Sequence, residues 1–331
     1  MSQTILGLPF PDAGLDARLA TAMARVESQL RDAVASDDQF VADASRYLVE
    51  AGGKRFRPLL VLLAAQFGDP DAWGVVPAGV VVELTHLATL YHDDVMDEAP
   101  LRRGAKSANA RWDNTIAILT GDFLFARSSR ILADLGPEAV RIQAHTFERL
   151  CTGQIRETIG PRAGQDPVEH HLAVLADKTG SLISASGRYG ALMSGAPPEV
   201  VEVMTQFGER IGVAFQLADD LVDITSDSMQ SGKTPGTDLR EGIPTLAALI
   251  ALTSTDPSDA RLQELLGRSI PDDAEHAEAL GLLRAHSAVE EARGEARRWA
   301  DLARSCLEPL PAGPPRDVLE LLCDYVVSRS G

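Results

Sequence analysis

Asp93-Asp94-Val95-Met96-Asp97 and Asp219-Asp220-Leu221-Val222-Asp223 place acidic side chains at the same DDxxD spacing twice in one chain. On a helix, positions i and i+4 share a face, so Asp93 projects with Asp97 and Asp219 with Asp223. Carboxylates gathered this way repel one another, and without cations some would take up protons. Two such faces turned toward each other would make a strongly negative cleft. Mg²⁺ is the expected occupant, because this hard ion takes carboxylate oxygen while keeping waters or phosphate oxygens. A diphosphate is the ligand this implies.

The diphosphate's outer oxygens also need cationic donors. Lys54 and Arg57 lie in a Gly-rich turn, Arg102 and Arg103 follow the first cluster, Lys178-Thr179 opens a small-residue segment, and Lys233 follows the second cluster. Arg offers phosphate a planar fork, and Lys a compact charge. A single DDxxD is most often a solvated helix face. Here each copy follows an apolar segment, Leu84 to Tyr91 or Ile211 to Ala218, which does not suit a solvent-facing helix. His86 lies two turns before Asp93 on its face and is a candidate phosphate contact. His170 and His171 diverge on a helix, and His145, His276 and His286 show no evident partners. Gly232-Lys233-Thr234 imitates the end of a P-loop, but Asp227 stands where that motif needs Gly.

The elements that must position these groups are helical. The chain has 331 residues, 45% of them apolar and 5% aromatic, and few stretches alternate with period two. All-α is the expected class, as one large helical domain. Residues 1–14 read as a loose terminus, and no mid-chain linker divides the rest, so one domain over 1–331 is expected. Helices are expected from Leu15 to Leu48 with a break near Ser36, from Pro58, from Val80 to Met96, from Trp112 to Leu135, from Glu138 to Ile159, from Val168 to Gly195 and from Glu199 to Ile224. Ser226 to Gly242 reads as a polar loop. The small residues Gly180, Gly187 and Gly190 would let a ligand or a second backbone approach closely.

The balance of 48 acidic to 31 basic residues, a net charge of −17, excludes a nucleic-acid binder, which needs a concentrated basic surface. Cys151, Cys306 and Cys323 are scattered and odd in number, fitting no metal spacing and suggesting a reducing compartment. No secretory signal opens the chain and no apolar run is suited to span a bilayer, so a cytoplasmic protein without stable membrane insertion is expected.

Five segments occur together in order: GGKRFRP at 52–58, DDVMDEAPLRRG at 93–104, KTG at 178–180, FQLADDLVD at 215–223 and GKTPGTDL at 232–239. In these the chain resembles the trans-isoprenyl diphosphate synthase (polyprenyl synthetase) family, of the long-chain type. The resemblance implies an all-α, homodimeric enzyme, a single large helical bundle around a central cavity, that condenses isopentenyl diphosphate head-to-tail onto an allylic diphosphate. It implies that Asp93 and Asp97, with Asp94 nearby, serve Mg²⁺ on the allylic diphosphate. Asp219 would serve a further Mg²⁺, with Asp220 and Asp223 completing that catalytic motif. Arg102 resembles an allylic-diphosphate contact. Lys54, Arg57, His86 and Arg103 resemble the isopentenyl diphosphate pocket, and Lys178, Thr179, Gln216 and Lys233 resemble further contacts near the allylic substrate. One departure is Ile243, which stands where many members carry the Lys of GKxTLP.

Product length follows from the depth open to the growing chain. Ala88 and Thr89, one turn before Asp93, and Thr85, two turns before it, are small or medium, where short-chain members often place an aromatic floor. A product of about C30–C50 is expected, with Tyr91 as another possible floor. Two alternatives stand beside it: a C20 synthase, and an inactive partner of a heteromeric synthase.

Overall fold

The computed structural model describes residues 12–102, 104–226 and 235–328. In chain order the elements are α1 (Ala13–Ala33), α2 (Gln39–Glu50), α3 (Phe56–Ala64), α4 (Val75–Met96), the strands β1 (Leu101–Arg102) and β2 (Ala105–Lys106), α5 (Ala108–Arg111), α6 (Asn114–Leu135), α7 (Pro137–Ile159), α8 (Pro167–Leu175), a π-helical turn (Ala176–Gly180), α9 (Ser181–Met193) and α10 (Pro198–Thr225). The helices Thr237–Glu241, Leu246–Leu252, Ala260–Leu266, Asp273–Ala285, Ala288–Cys306 and Pro314–Ser328 follow. Among the described residues, the strands form just one two-residue antiparallel ribbon, with Leu101 opposite Lys106 and Arg102 opposite Ala105.

Part of the acidic excess is spent on starting helices. Asp12, Asp38, Asp113, Asp166 and Asp272 are N-caps whose side chains accept amide N–H groups of the first turn. Each satisfies donors that have no partner within the helix and adds negative charge at the positive end of its dipole.

Two compact units emerge. The first comprises 1–147, 182–208 and 309–319; the second comprises 148–181, 209–308 and 320–331. In the first, α4 is buried over most of its surface by neighbours that include α1, α3 and α6, which explains its near-continuous apolar run. The break near Ser36 falls between α1 and α2 as expected. α3 begins at Phe56, two residues ahead of Pro58, because a proline in the first turn forfeits no intrahelical hydrogen bond. The glycines of α9 admit a second backbone. A Cβ on Gly190 would stand 2.1 Å from Val61 O and 2.8 Å from the Ala64 Cβ of α3, and one on Gly187 2.4 Å from Met204 O of α10. Gly190→Ala should therefore destabilise the protein by about 1–3 kcal/mol, an overpacking penalty that a urea titration would measure.

In the second unit, Val213, Leu217, Leu221 and Ile224 of α10 turn one stripe into a core shared with Leu239, Leu246, Leu265, Leu283 and Ala292. That stripe fixes the rotation of the helix, and Asp219 and Asp223 lie off it. The expected polar loop after α10 contains the short helix Thr237–Glu241.

Candidate active site

The first cluster forms the last turn of α4 and its C-cap, Asp97. Asp93 is half-buried and Asp97 exposed. Asp94 is fully buried with both oxygens engaged: Arg102 Nε donates to Oδ1 at 2.6 Å and the Ala108 N–H, at the start of α5, to Oδ2 at 3.3 Å. Arg102 Nη2 lies 3.7 Å from Asp97 Oδ2. Asp94 therefore positions Arg102 beside the cluster. The chain continues from the cluster into the β1–β2 ribbon and α5. Ser107 donates to Ala99 O, Tyr47 Oη donates to Lys106 O at 2.7 Å, and the Arg111 guanidinium stacks 4.5 Å from the Tyr47 ring centroid. Arg103 lies outside the described residues.

Lys54 is exposed and Arg57 half-buried at the entry to α3, while His86 is half-buried on α4. Between Lys54 and Arg57 sits a residue that sequence reasoning passed over. Arg55 adopts a left-handed backbone (φ 50°), is 8% exposed, and donates to Glu27 Oε1 at 2.6 Å, Glu83 Oε1 at 2.7 Å and Val49 O at 2.9 Å. Burial lowers its basicity, and the pull of Glu83 and Glu27 outweighs that, leaving the pKa raised. This buried ion network sets the path of the turn that carries Lys54 and Arg57. The available signal was Glu83, a carboxylate in the middle of an apolar helix.

The second cluster lies near the end of α10. Asp219 and Asp223 are half-buried and Asp220 is buried. Thr179 Oγ1 donates to Gln216 Oε1 at 3.1 Å, and Gln216 Nε2 donates to Asp220 Oδ1 at 2.9 Å, so three of the expected residues form one relay. Burial, with Asp219, Asp223 and Glu157 nearby, pushes the Asp220 carboxyl up to about 7 against the bond from Gln216. His171 Nε2 stands 3.9 Å from Asp220 Oδ2, and burial beside His170 lowers its pKa to about 4. Because the folded state then holds a proton on Asp220 that the unfolded chain releases near its ordinary value, this group's stabilising share is lost as pH rises toward 7. Asp220→Asn, free of that loss, should gain stability on the wild type between about pH 4 and 7 in chelator-treated protein, measured by denaturation across that range.

Lys178 Nζ donates to Glu157 Oε2 at 2.5 Å, so its charge is paired in this form. Its turn is braced by Arg149 and Arg156, which grip Asp177 at 2.9 and 2.8 Å. Asp223 holds the returning chain: its backbone O accepts from the Gly236 N–H at 2.9 Å and its Oδ2 from the Asp238 N–H at 3.3 Å. His276, which showed no partner in the sequence, lies 2.8 Å from Gly236 O, and Arg284 donates to Ile224 O at 2.6 Å and Ser226 O at 2.8 Å. His286 likewise has a partner, Asp259 Oδ2 at 3.1 Å. Lys233 lies outside the described residues. Ile243 lines a cavity of about 50 Å³ with Glu157, His170, His171 and Leu249.

Among the described residues no three His, Cys, Asp or Glu side chains form a ready-made metal cage. The carboxylate pairs instead suit a hard divalent ion that takes one or two protein oxygens and completes its shell with water and phosphate. Among the same residues no helix is long and apolar enough to cross a membrane.

The polyprenyl synthetase family model matches residues 38–283. Nonaprenyl diphosphate synthase of Mycobacterium tuberculosis (strain ATCC 25618 / H37Rv) is 51% identical over 328 residues, covering 99% of this chain and 98% of that protein. The solved geranylgeranyl pyrophosphate synthase from Corynebacterium glutamicum, complexed with calcium and isoprenyl diphosphate, superposes with a TM-score of 0.88 at 44% identity, covering 98% of this chain and all of that one. A decaprenyl diphosphate synthase from Rhodobacter capsulatus superposes at 0.87 with 34% identity over 96% of this chain and 98% of that one. A family match over most of the chain and full-length relatives with the same all-α fold lead to one conclusion: the chain belongs to the polyprenyl synthetase family, the trans-isoprenyl diphosphate synthases.

Proposed function

We propose that the chain is a Mg²⁺-dependent prenyltransferase that condenses isopentenyl diphosphate onto an allylic diphosphate and repeats the step to a long all-trans polyprenyl diphosphate, about C30–C50. The observation that carries the chemistry is the pair of helix-borne carboxylate clusters, the first with Arg102 fixed at its side by Asp94. Asp93, Asp97 and Asp219 are the residues that would hold Mg²⁺, which would supply positive charge against a departing diphosphate. Arg102 donates to the allylic diphosphate, with Lys178, Thr179, Gln216 and Lys233 nearby. Lys178 would leave Glu157 to do so. Asp220 and Asp223 complete the second motif, Asp220 through the Thr179–Gln216 relay and Asp223 by holding the returning chain. Lys54, Arg57, His86 and Arg103 hold isopentenyl diphosphate, whose alkene attacks the allylic cation. Among the described residues no side chain presents itself as a dedicated base, and the released diphosphate takes the final proton. Apolar surroundings protect the cation from water.

The long product is supported by the floor positions. Ala88 and Thr85 are buried and small, and Tyr91, the other possible floor, is tied elsewhere: its hydroxyl donates to Ala44 O at 2.5 Å and accepts from the Leu48 N–H at 3.3 Å. The likeness to the geranylgeranyl pyrophosphate synthase favours the second reading, a C20 product. Incubating the purified chain with labelled isopentenyl diphosphate and a panel of allylic primers, then sizing the dephosphorylated product, decides between them. Products beyond C20 support the proposal, mainly C20 selects the second reading, and mainly C15 refutes both. No product from the chain alone points to an inactive partner subunit. We further propose one catalytic domain, a cytoplasmic location and a homodimer that covers the exposed apolar side chains Ile118, Leu119, Val140 and Phe147 of α6 and α7. Light scattering should give twice the chain mass of 35.4 kDa; the monomer mass would refute the dimer.

A further inference from the structure

Within the second unit, one side chain beside the second cluster is buried with a nitrogen unmatched. His171 of α8 is 9% exposed, and its Nε2 is buried without a hydrogen-bond partner. Buried polar atoms are almost always paired, so this one calls for a partner still to be engaged. It faces Asp220 Oδ2 of α10 at 3.9 Å, about 1 Å beyond hydrogen-bond length. The other oxygen of that carboxyl is already held: Oδ1 accepts from Gln216 Nε2, and Gln216 Oε1 accepts from Thr179 Oγ1. Asp220 is thus fixed from one side and turned toward His171 on the other, next in sequence to Asp219.

The neighbours of His171 are apolar or committed elsewhere. With it, Glu157, His170, Ile243 and Leu249 line a cavity of about 50 Å³. Glu157 accepts from Lys178 Nζ, and His170 Nε2 lies 3.2 Å from Arg156 O. Ile243 and Leu249 carry no polar side-chain atom. The torsions that end His and Asp side chains are soft, so a small rotation of either group closes the gap while both helices stay in place. We propose that His171 is a positioning residue of the second cluster: in the tautomer with its proton on Nε2, it donates to Asp220 Oδ2 when the cluster takes up its divalent ion. The carboxylate is then gripped by Gln216 on one oxygen and by His171 on the other, which steadies the adjacent Asp219. The inference rests on the metal–diphosphate reading above and adds an outer partner to it. Hydrogen bonds of this kind orient the carboxylates around an ion, and losing one typically costs about 10–100-fold in metal affinity.

The test needs no turnover: it follows the melting temperature of the full chain as Mg²⁺ is titrated in the presence of inorganic pyrophosphate. His171→Phe keeps a ring and removes the donor, while His171→Gln keeps a nitrogen donor at similar reach. The Mg²⁺ concentration at half-maximal stabilisation should rise at least about tenfold in His171→Phe and return close to the wild-type value in His171→Gln. In chelator, His171→Phe should melt no lower than the wild type, because it removes an unmatched buried nitrogen; a merely structural role would lower that melting temperature and leave the Mg²⁺ midpoint in place. In an Asp220→Ala background the His171→Phe shift should vanish, since the residue acts through that carboxylate. If His171→Phe does not fold, His171→Leu, smaller and equally without a donor, takes its place. A folded donor-free variant with the wild-type Mg²⁺ midpoint, or a full shift that persists beside Asp220→Ala, overturns the positioning role and leaves the functional reading standing. If Mg²⁺ with pyrophosphate does not stabilise the wild type at all, both fall.

Discussion

Alanine at Asp219 is expected to lower turnover by about 10³-fold while leaving the metal-free protein as stable as the wild type or more so, and alanine at Asp93 should act alike. The loss follows from the chemistry proposed for the cluster. In that proposal each carboxylate would hold a cation that stabilises charge on a departing diphosphate, an interaction strongest in the transition state. Stability should not follow activity down, because Asp219 lies off the α10 core stripe and is half-buried. Removing one negative charge also relieves repulsion on Asp220, whose carboxyl is already pushed up to about 7 by burial and by neighbours that include Asp219. Steady-state kinetics at saturating Mg²⁺, paired with thermal melts in chelator, would read both quantities. A folded variant with near-native turnover would remove Asp219 from the catalytic set.

Glu83→Ala carries the largest expected loss of stability, about 3–5 kcal/mol, because it leaves the Arg55 guanidinium buried without its most enclosed partner. Glu83 and Arg55 side chains are 3% and 8% exposed and 2.7 Å apart. Glu27, the second partner at 2.6 Å, is 27% exposed, so Glu27→Ala should cost less. The consequence should reach function through the turn that Arg55 holds. With its left-handed residue unanchored, Lys54 and Arg57 lose their fixed placement, and KM for isopentenyl diphosphate should rise more than kcat falls. Urea denaturation of both variants checks the order of effects; equal small losses would show that water solvates Arg55 well enough to do without Glu83.

The parts of this molecule legible in sequence were those with a period or a repeated spacing. The helices around both clusters fall close to their expected bounds because apolar periodicity reports burial directly, and α10 shows why: its core stripe and its carboxylates occupy different faces of one helix. What escaped the sequence was made by contacts distant along the chain. Arg55 reads as one more cation in GGKRFRP, and its buried role depends on Glu83 and Glu27, each 28 residues away. Asp94 looks like a third member of its cluster, and its distinct task appears with Arg102 at 2.6 Å. His276 and Arg284 fasten the chain after α10 through backbone carbonyls, which no side-chain pattern advertises. The two-residue β1–β2 ribbon was too short to leave any alternation.

The central claim is that both carboxylate clusters act on one diphosphate in one ionisation step. A kinetic double-mutant cycle tests it most directly: turnover of Asp93→Ala, Asp219→Ala and the double variant, with product formation from farnesyl diphosphate followed by label. Residues that act as a unit are strongly non-additive, so the double variant should retain activity close to that of either single one. Multiplicative losses, which would show the clusters working independently, or single variants as active as the wild type, would contradict the account.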